Sequence, residues 1–429
     1  MQIIETFRNA WKIPDLRKKI LYTILLIVIF RFGSFVPVPW IDALQVQKWL
    51  ASGAGNTLFN LMDSFSGGSL SNATIFAMSI SPYINSSIIM QLLTVAIPAL
   101  ERMAKEGAEG RKKITKITRY LTVVLGAIQA TGLYLTLKSQ HAIVASGVPS
   151  FVVALTIILA FTAGTAFLMW LGEQITGRGI GNGISMIIFA GIVARIPTMT
   201  MTTAALFDAW YQWVLLILYV LISIAFVVLI NDAERRIPVQ YAKRVVGNKI
   251  YGGQSSNIPL KIAQGGVIPI IFAMSIMSFP GTLAQLFAGN NPNNFLAKVA
   301  HFLTSGWIYP TLYFVLIIAF TYFYAAITFN PIEIANNIKQ NGGTILGIRP
   351  GRPTSEYIKK VLYKITLIGS LALAVIAVLP IVISYISGNQ LSSLALTGTS
   401  LLIVVGVALE TVKQIEAQMV MRHYKGFLE

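Results

Sequence analysis

Three histidines, His141, His301 and His423, are this chain's whole stock of groups that ordinarily titrate near neutral pH. They are scattered, and none belongs to an H-E-x-x-H repeat that would turn two imidazoles toward one zinc ion. Cysteine is absent. That removes disulfides, thiolate metal sites and a thiol nucleophile. The stretch Gly-Arg-Gly-Ile-Gly-Asn-Gly at 177–183 has the glycine density of a dinucleotide loop. Its spacing is wrong, however, and no strand precedes it, so a tight turn or a close helix start explains it better. No G-x-x-x-x-G-K-[ST] segment occurs, so nucleotide hydrolysis through a P-loop is excluded. Glu173 and Glu410 are the carboxylates nearest to apolar stretches, and both lie near the stretch ends. An ion-coupled carrier buries its carboxylates near the membrane midplane. The residues therefore speak against a membrane-embedded enzyme and against a small-solute transporter.

The elements that carry these residues are apolar and long. Of 429 residues, 55% are hydrophobic and only 11% charged, against about 25% charged in soluble domains. Ten runs are long enough to be read as bilayer spans, which take about 20 residues. They lie near 19–36, 74–98, 118–137, 150–171, 182–197, 209–230, 264–287, 307–329, 361–386 and 394–412. Only helices suit them, because lipid offers the backbone no partner and the alternation of a membrane barrel is missing. The expected fold class is all-α, a polytopic bundle of ten transmembrane helices. Met1–Ile20 is amphipathic and is not expected to be a cleaved signal.

Charge sets the orientation. With ten spans both termini share a side, and that side receives all but five of the 33 Lys and Arg; the exceptions are Arg31, Lys48, Lys138, Arg195 and Lys298. All acids but Asp42, Asp63 and Asp208 fall there too. Basic loops stay in the cytoplasm, so both termini are expected there. Two of these loops, 231–263 and 330–360, exceed what connection requires. The first interleaves Tyr241 and Tyr251 with Arg235, Arg236, Lys243, Arg244 and Lys249. The second carries Gly342-Gly343 and Arg349-Pro350-Gly351 turns, which mark a structured hairpin or loop. Such surfaces suit an acidic or RNA-rich partner, or a motor with an acidic contact surface; contact with lipid headgroups alone would not require the aromatic interleaving. On the opposite side, Thr57–Phe65 as a helix would be about 14 Å long, too short to span. It either lies on the surface or folds back into a cavity.

Several stretches carry a resemblance that covers nearly the whole chain: FRFGSFVPVP (30–39), FSGGSLSNATIFAMSISPYINSSIIMQLLT (65–94), KEGAEGRKKITKITRY (105–120), LGEQITGRGIGNGISMIIFAGI (171–192), QYAKR (240–244), GVIPIIFA (266–273), ANNIKQNGGTILGIRPG (335–351) and GTSLLIVVGVALE (398–410). The sequence resembles the SecY family, the large subunits of the bacterial protein translocase. The resemblance implies a passive protein-conducting channel in the bacterial plasma membrane, without cofactor or catalysis. Such a channel would pass unfolded polypeptides outward and release transmembrane segments sideways into the lipid bilayer. Two five-helix halves, 1–205 and 206–429, would form an inverted repeat. Implied partners are SecE-type and SecG-type small subunits, the SecA ATPase, the ribosome and signal sequences.

Site residues follow by the same resemblance. The pore ring falls on Ile84, Ile88, Ile184, Ile188, Ile271 and Ile403. The plug covers roughly 57–72, with Leu61, Phe65, Ser66, Gly67 and Gly68. The lateral gate, between 74–98 and 264–287, takes Gln91, Thr94, Ser275 and Ser278. Docking falls on Arg235, Arg236, Lys243, Arg244 and Arg349, where an intraloop bridge from Arg349 to Glu356 is the competing role. Ile271 and Ile403 each lie ten residues from a lysine, Lys261 and Lys413. That is about 15 Å of helix, near the midplane. Ile184 is only six residues from Arg178 and is level with the others only if a water-filled funnel opens below it. The orientation predicts that single cysteines at Asn248 and Gly343 react with an impermeant thiol reagent in inverted vesicles and not in intact cells; labelling from outside would reverse the topology.

Overall fold

The computed structural model describes residues 2–51, 57–145, 147–204, 210–241, 244–246, 249–251, 255–288, 295–304, 306–386 and 392–425. The chain begins with α1 (Gln2–Lys12), α2 (Pro14–Gly33), α3 (Ala43–Ala51) and α4 (Thr57–Phe65). It continues through α5 (Ser81–Ala96), α6 (Pro98–Lys105), α7 (Ala108–Ser139), α8 (Ser150–Arg178), α9 (Gly183–Ala204) and α10 (Trp210–Asp232). Four strands follow: β1 (Glu234–Tyr241), β2 (Arg244–Val246), β3 (Lys249–Tyr251) and β4 (Ser255–Lys261). Then come α11 (Ile268–Ala288), α12 (Phe295–Thr304), α13 (Ile308–Thr328), α14 (Pro331–Gln340), β5 (Gly343–Ile345), α15 (Arg352–Ile386) and α16 (Ser392–Lys425).

The ten expected spans correspond to α2, α5, α7, α8, α9, α10, α11, α13, α15 and α16. By length and composition alone, five helices among the described residues could cross a bilayer, or six if the bent α5–α6 pair counts as one. The other spans are α2, whose first turns hold Arg17, Lys18 and Lys19, the short apolar stretches of α9 and α11, and α16 with its apolar first half. The first and last described helices meet: Thr6 of α1 donates to Glu416 of α16 at 3.2 Å. The end of the bundle carrying both termini is called the near side, and the opposite end the far side.

The expected span at 74–98 is shorter than its hydropathy suggests. Residues 74–80 run in turns, with Thr74 bridged to Pro37, and helix α5 begins only at Ser81, ahead of Pro82. Proline suits the first helical turn, where its missing N–H has no partner to lose. Phe76, Ala77, Met78 and Ile80 are nonetheless buried. Hydropathy reports burial there, not helicity. At the other end Pro98 opens α6, bent 100° from α5.

The two long near-side loops form one body. Strand β1 pairs antiparallel with β4, placing Ile237 opposite Ile258, and on its other edge with β5, placing Val239 opposite Ile345. Along β1 the side chains alternate with the pleat: Ile237 and Val239 are buried, Arg236, Pro238 and Gln240 exposed. They share a core with Leu260, Ile338, Ile345 and Ile358. A second ribbon, β2–β3, sets Arg244 opposite Tyr251.

This pairing changes the labelling test. Gly343 is buried, and a Cβ there would meet the Tyr241 ring at 2.9 Å, so a cysteine at 343 would be strained and shielded. Asn248 lies outside the described residues. Leu346, 64% exposed on the same loop, is the better reporter: Leu346→Cys is expected to label in inverted vesicles and not in intact cells, and equal labelling in both would refute the assigned sidedness.

Candidate functional site

Helix α9 supplies the spine of the site. Its start is fixed locally: Asn182 Oδ1 accepts from the backbone N–H of Ile184 at 3.1 Å, and Thr176 Oγ1 from that of Gly183 at 2.9 Å. Gly183 lies against the Gly172 carbonyl so closely that any Cβ would overlap it. The 177–183 glycines therefore serve a tight turn and a close helix crossing. Along α9, Ile184, Ile188, Gly191 and Arg195 recur at helical spacing and share one face.

That face meets α5, α11 and α16 at a waist. A cavity of about 40 Å³ is lined by Ile84, Ile188, Ile271 and Ile403, by Met274, Ser275 and Ser278 of α11, and by Met62 and Phe65 of the re-entrant segment. Ile403 is fully buried and Ile188 3% exposed. On the near side a larger cavity of about 520 Å³ opens, walled by Tyr83, Ser87, Gln91, Arg119, Glu173 and Asn182 and floored by Ile84, Ile184, Ile188 and Ile271. Four of the six ring isoleucines thus line the narrow space. Ile184 sits lower and lines only the near-side cavity. Ile88 is buried, 2% exposed, and lies outside both cavity walls.

Helix α4 folds back into the bundle, where it packs on α9 and α16. Trp49 of α3 holds it from behind, edge to face with Phe59 at 4.9 Å. Ser66 Oγ donates to the Asp63 carbonyl at 3.1 Å, and Gly68 N–H to the same oxygen at 2.9 Å. Gly67 offers its carbonyl to Arg31 Nη1 at 3.1 Å. Leu61 lies in α4, but its side chain is outside the described part.

Helices α5 and α11 pack directly against each other. Their polar side chains bond within their own helix. Gln91 Nε2 donates to Ser87 Oγ at 3.3 Å, Thr94 Oγ1 to the Met90 carbonyl at 2.7 Å, and Ser278 Oγ to the Ser275 carbonyl at 2.8 Å. Parting the two helices leaves each of these bonds intact.

On the near-side body, Arg235 and Arg236 are exposed, and Arg236 Nε bonds Glu234 at 2.7 Å. Lys243 lies outside the described residues, and of Arg244 only the backbone, as the first residue of β2, is described. Arg349 is exposed. Its carbonyl accepts from Thr354 Oγ1 at 2.9 Å, which pins the turn. Glu356 pairs with Arg352 at 3.0 Å, one helical turn away, so the bridge that would have occupied Arg349 is made elsewhere. Sequence reasoning missed Met62 in the waist and the bonding of Arg31 and Arg195 to the re-entrant segment. Their signal was present: both arginines are among the five basic residues on the wrong side for the charge rule.

Fold and waist together define a polytopic helical membrane protein with a re-entrant helix seated on an apolar constriction. The SecY family model matches residues 74–412. The SecY translocase subunit of Streptomyces galbus is 47% identical over 99% of this chain and the whole of its own length, and that of Thermotoga maritima is 43% identical over 99% of this chain and 98% of its own. Among solved structures, one of a protein-conducting channel superposes with a TM-score of 0.63 at 18% identity, covering 94% of this chain and 92% of its own. Sec61 in a canine ribosome–channel complex gives 0.59 at 16%, with the same coverage. This chain belongs to the SecY family. It is accordingly a multi-pass bacterial membrane protein.

Ile403→Asn and Ile271→Asn place an amide in the waist, which should hold water and raise the resting ion conductance measured in planar bilayers. Ile403→Val should stay tight and cost about 0.5–1.5 kcal/mol. An isoleucine facing lipid, changed to Asn, should cost about 1–3 kcal/mol without any leak. Ion-tight, normally inserted variants at both waist positions would remove them from the constriction.

Proposed function

We propose that the chain is the pore-forming subunit of a protein-conducting channel, which moves unfolded polypeptides through the waist and lets transmembrane segments leave between α5 and α11. The carrying observation is the pair of unequal cavities that meet at the isoleucines among the described residues: about 520 Å³ on the near side, and about 40 Å³ at the waist, where Met62 and Phe65 join the wall. An apolar constriction resists a continuous water column and so blocks ions. Its side chains make no directional bonds, so a passing chain breaks none. Ile84, Ile188, Ile271 and Ile403 act as the yielding ring, with Ile184 at its near-side mouth and Ile88 buried outside the cavity walls. Leu61, Phe65, Ser66, Gly67 and Gly68 belong to a plug, and Gln91, Thr94, Ser275 and Ser278 flank a lateral gate.

The near side is the cytoplasmic side, which places both termini in the cytoplasm. Residues 1–205 and 206–429 serve as the two halves that part. The chain supplies passage and no chemistry; a partner supplies the energy. Arg235, Arg236, Lys243, Arg244 and Arg349 present positive charge to a ribosome or to a SecA-type ATPase, while SecE-type and SecG-type subunits brace the bundle. Structures of related channels on ribosomes, Sec61 and the yeast Ssh1 complex, support the ribosome as one such partner.

Arg349 tests the docking role. It is exposed on a pinned turn, so Arg349→Glu should change stability by no more than about 0.5 kcal/mol. A like-charge contact across an interface costs several kcal/mol, and each 1.4 kcal/mol is tenfold. ATPase-driven translocation into inverted vesicles should therefore fall by about tenfold or more. Unchanged transport with unchanged ATPase affinity would take Arg349 out of the docking surface.

A further inference from the structure

Asp63 lies in the re-entrant helix and is 1% exposed. A buried carboxylate is tolerated only where its charge and lone pairs are matched. Here both oxygens are occupied. Oδ1 accepts from the Ser71 N–H at 2.8 Å, which folds the 66–71 turn back onto the helix. Oδ2 is ion-paired with Arg195 Nη1 of α9, and that guanidinium is itself three-quarters buried. A second arginine grips the same segment: Arg31 Nη1 bonds the Gly67 carbonyl at 3.1 Å while its guanidinium lies 4.9 Å over the Phe35 ring. Gly191, one turn below Arg195, is the seat itself. A Cβ at 191 would overlap the Phe65 carbonyl.

We infer that Asp63, Arg195 and Arg31 form a charge latch that fixes the re-entrant helix in one register on α9 and so holds the waist shut. The inference rests on the channel reading above and names what sets its resting state. A paired buried charge adds little net stability, because desolvation offsets the attraction, yet removing one partner strands the other. The closed seat thus depends on both charges being present. The opened state loses little, because each group is hydrated once the segment leaves. The two arginines stand 36 and 132 residues from the groups they hold, so the latch also ties α2 and α9 to one movable segment.

The test is resting conductance in planar bilayers together with the amount of protein inserted. Asp63→Asn and Arg195→Gln should each raise the resting conductance about tenfold or more, since either leaves a buried charge unpaired. The neutral pair, Asp63→Asn with Arg195→Gln, keeps an acceptor for the Ser71 N–H and strands no charge, so it should return the conductance toward the parent. Gly191→Val leaves the charges alone and should leak through steric unseating, which keeps the inference testable if a single charge variant fails to accumulate. Tight single variants, or a neutral pair as leaky as the singles, would overturn the latch. Ile403→Asn in the same bilayers separates the two claims. A leak there beside a tight Asp63→Asn removes the latch alone, whereas tight behaviour in both removes the channel reading with it.

Discussion

The packing of Phe65 against the isoleucine-lined waist, with Met62 beside it on the same cavity wall, is the contact on which the rest of the structure depends. A membrane must not leak ions, yet a passage for polypeptide needs a bore that ions would cross. A polar constriction would hold water and conduct. An apolar one dewets, and branched side chains fixed at χ1 return to one arrangement after being displaced. Every surrounding element serves that contact. Helix α9 is capped and crossed closely by α8 so that Ile188 arrives at the waist. Trp49 braces α4 from behind. The turns at 66–80 bring the chain back from the re-entrant helix to the start of α5.

Placement of polar groups explains how such a seal can open. Most hydroxyls in the bundle bond back to a carbonyl three or four residues earlier in their own helix, as Thr94, Ser278 and Thr122 do. They satisfy themselves without tying helices together. Long-range polar bonds are concentrated elsewhere: at the re-entrant segment through Asp63–Arg195 and Arg31–Gly67, and at the near side through Thr6–Glu416, Arg119–Glu173 and Lys413–Asp232. The interface between α5 and α11 is thereby left to packing, which separates in lipid at lower cost than a network of buried bonds would.

Much of the bundle was legible in the sequence because the bilayer imposes one rule on every span. Ten apolar runs became ten helices, and Thr57–Phe65 formed the short helix its length allowed. The exception, 74–80, shows what hydropathy measures: those side chains are buried among helices while their backbone turns. The sheet was invisible for another reason. Val239 and Ile345 are neighbours across a register that no local pattern encodes. Loops that read as two basic surfaces are one body. At the waist, Ile403 was placed by counting along α16, which runs unbroken through Lys413; the count from Lys261 did not measure helix, because Lys261 ends β4 and α11 begins only at Ile268, yet Ile271 lines the same cavity. Ile184 sits low, as its distance from Arg178 implied. Arg31 and Arg195 stood out only as charges on the wrong side, since their partners, a backbone carbonyl and a buried carboxylate, exist only once the segment folds inward.

Because the chain has no cysteine, the seal can be read one residue at a time along α9. The decisive measurement is the rate at which an impermeant thiol reagent modifies Ile184→Cys and Ile188→Cys in native membranes, applied from each side in turn. The account predicts that position 184, on the floor of the near-side cavity, reacts from the near side only, and that position 188, which borders the same floor but is only 3% exposed, reacts far more slowly from the near side and not at all from the far side while the channel rests. Modification of 188 as fast as 184, or of either from the far side, would mean that the isoleucines do not close the passage.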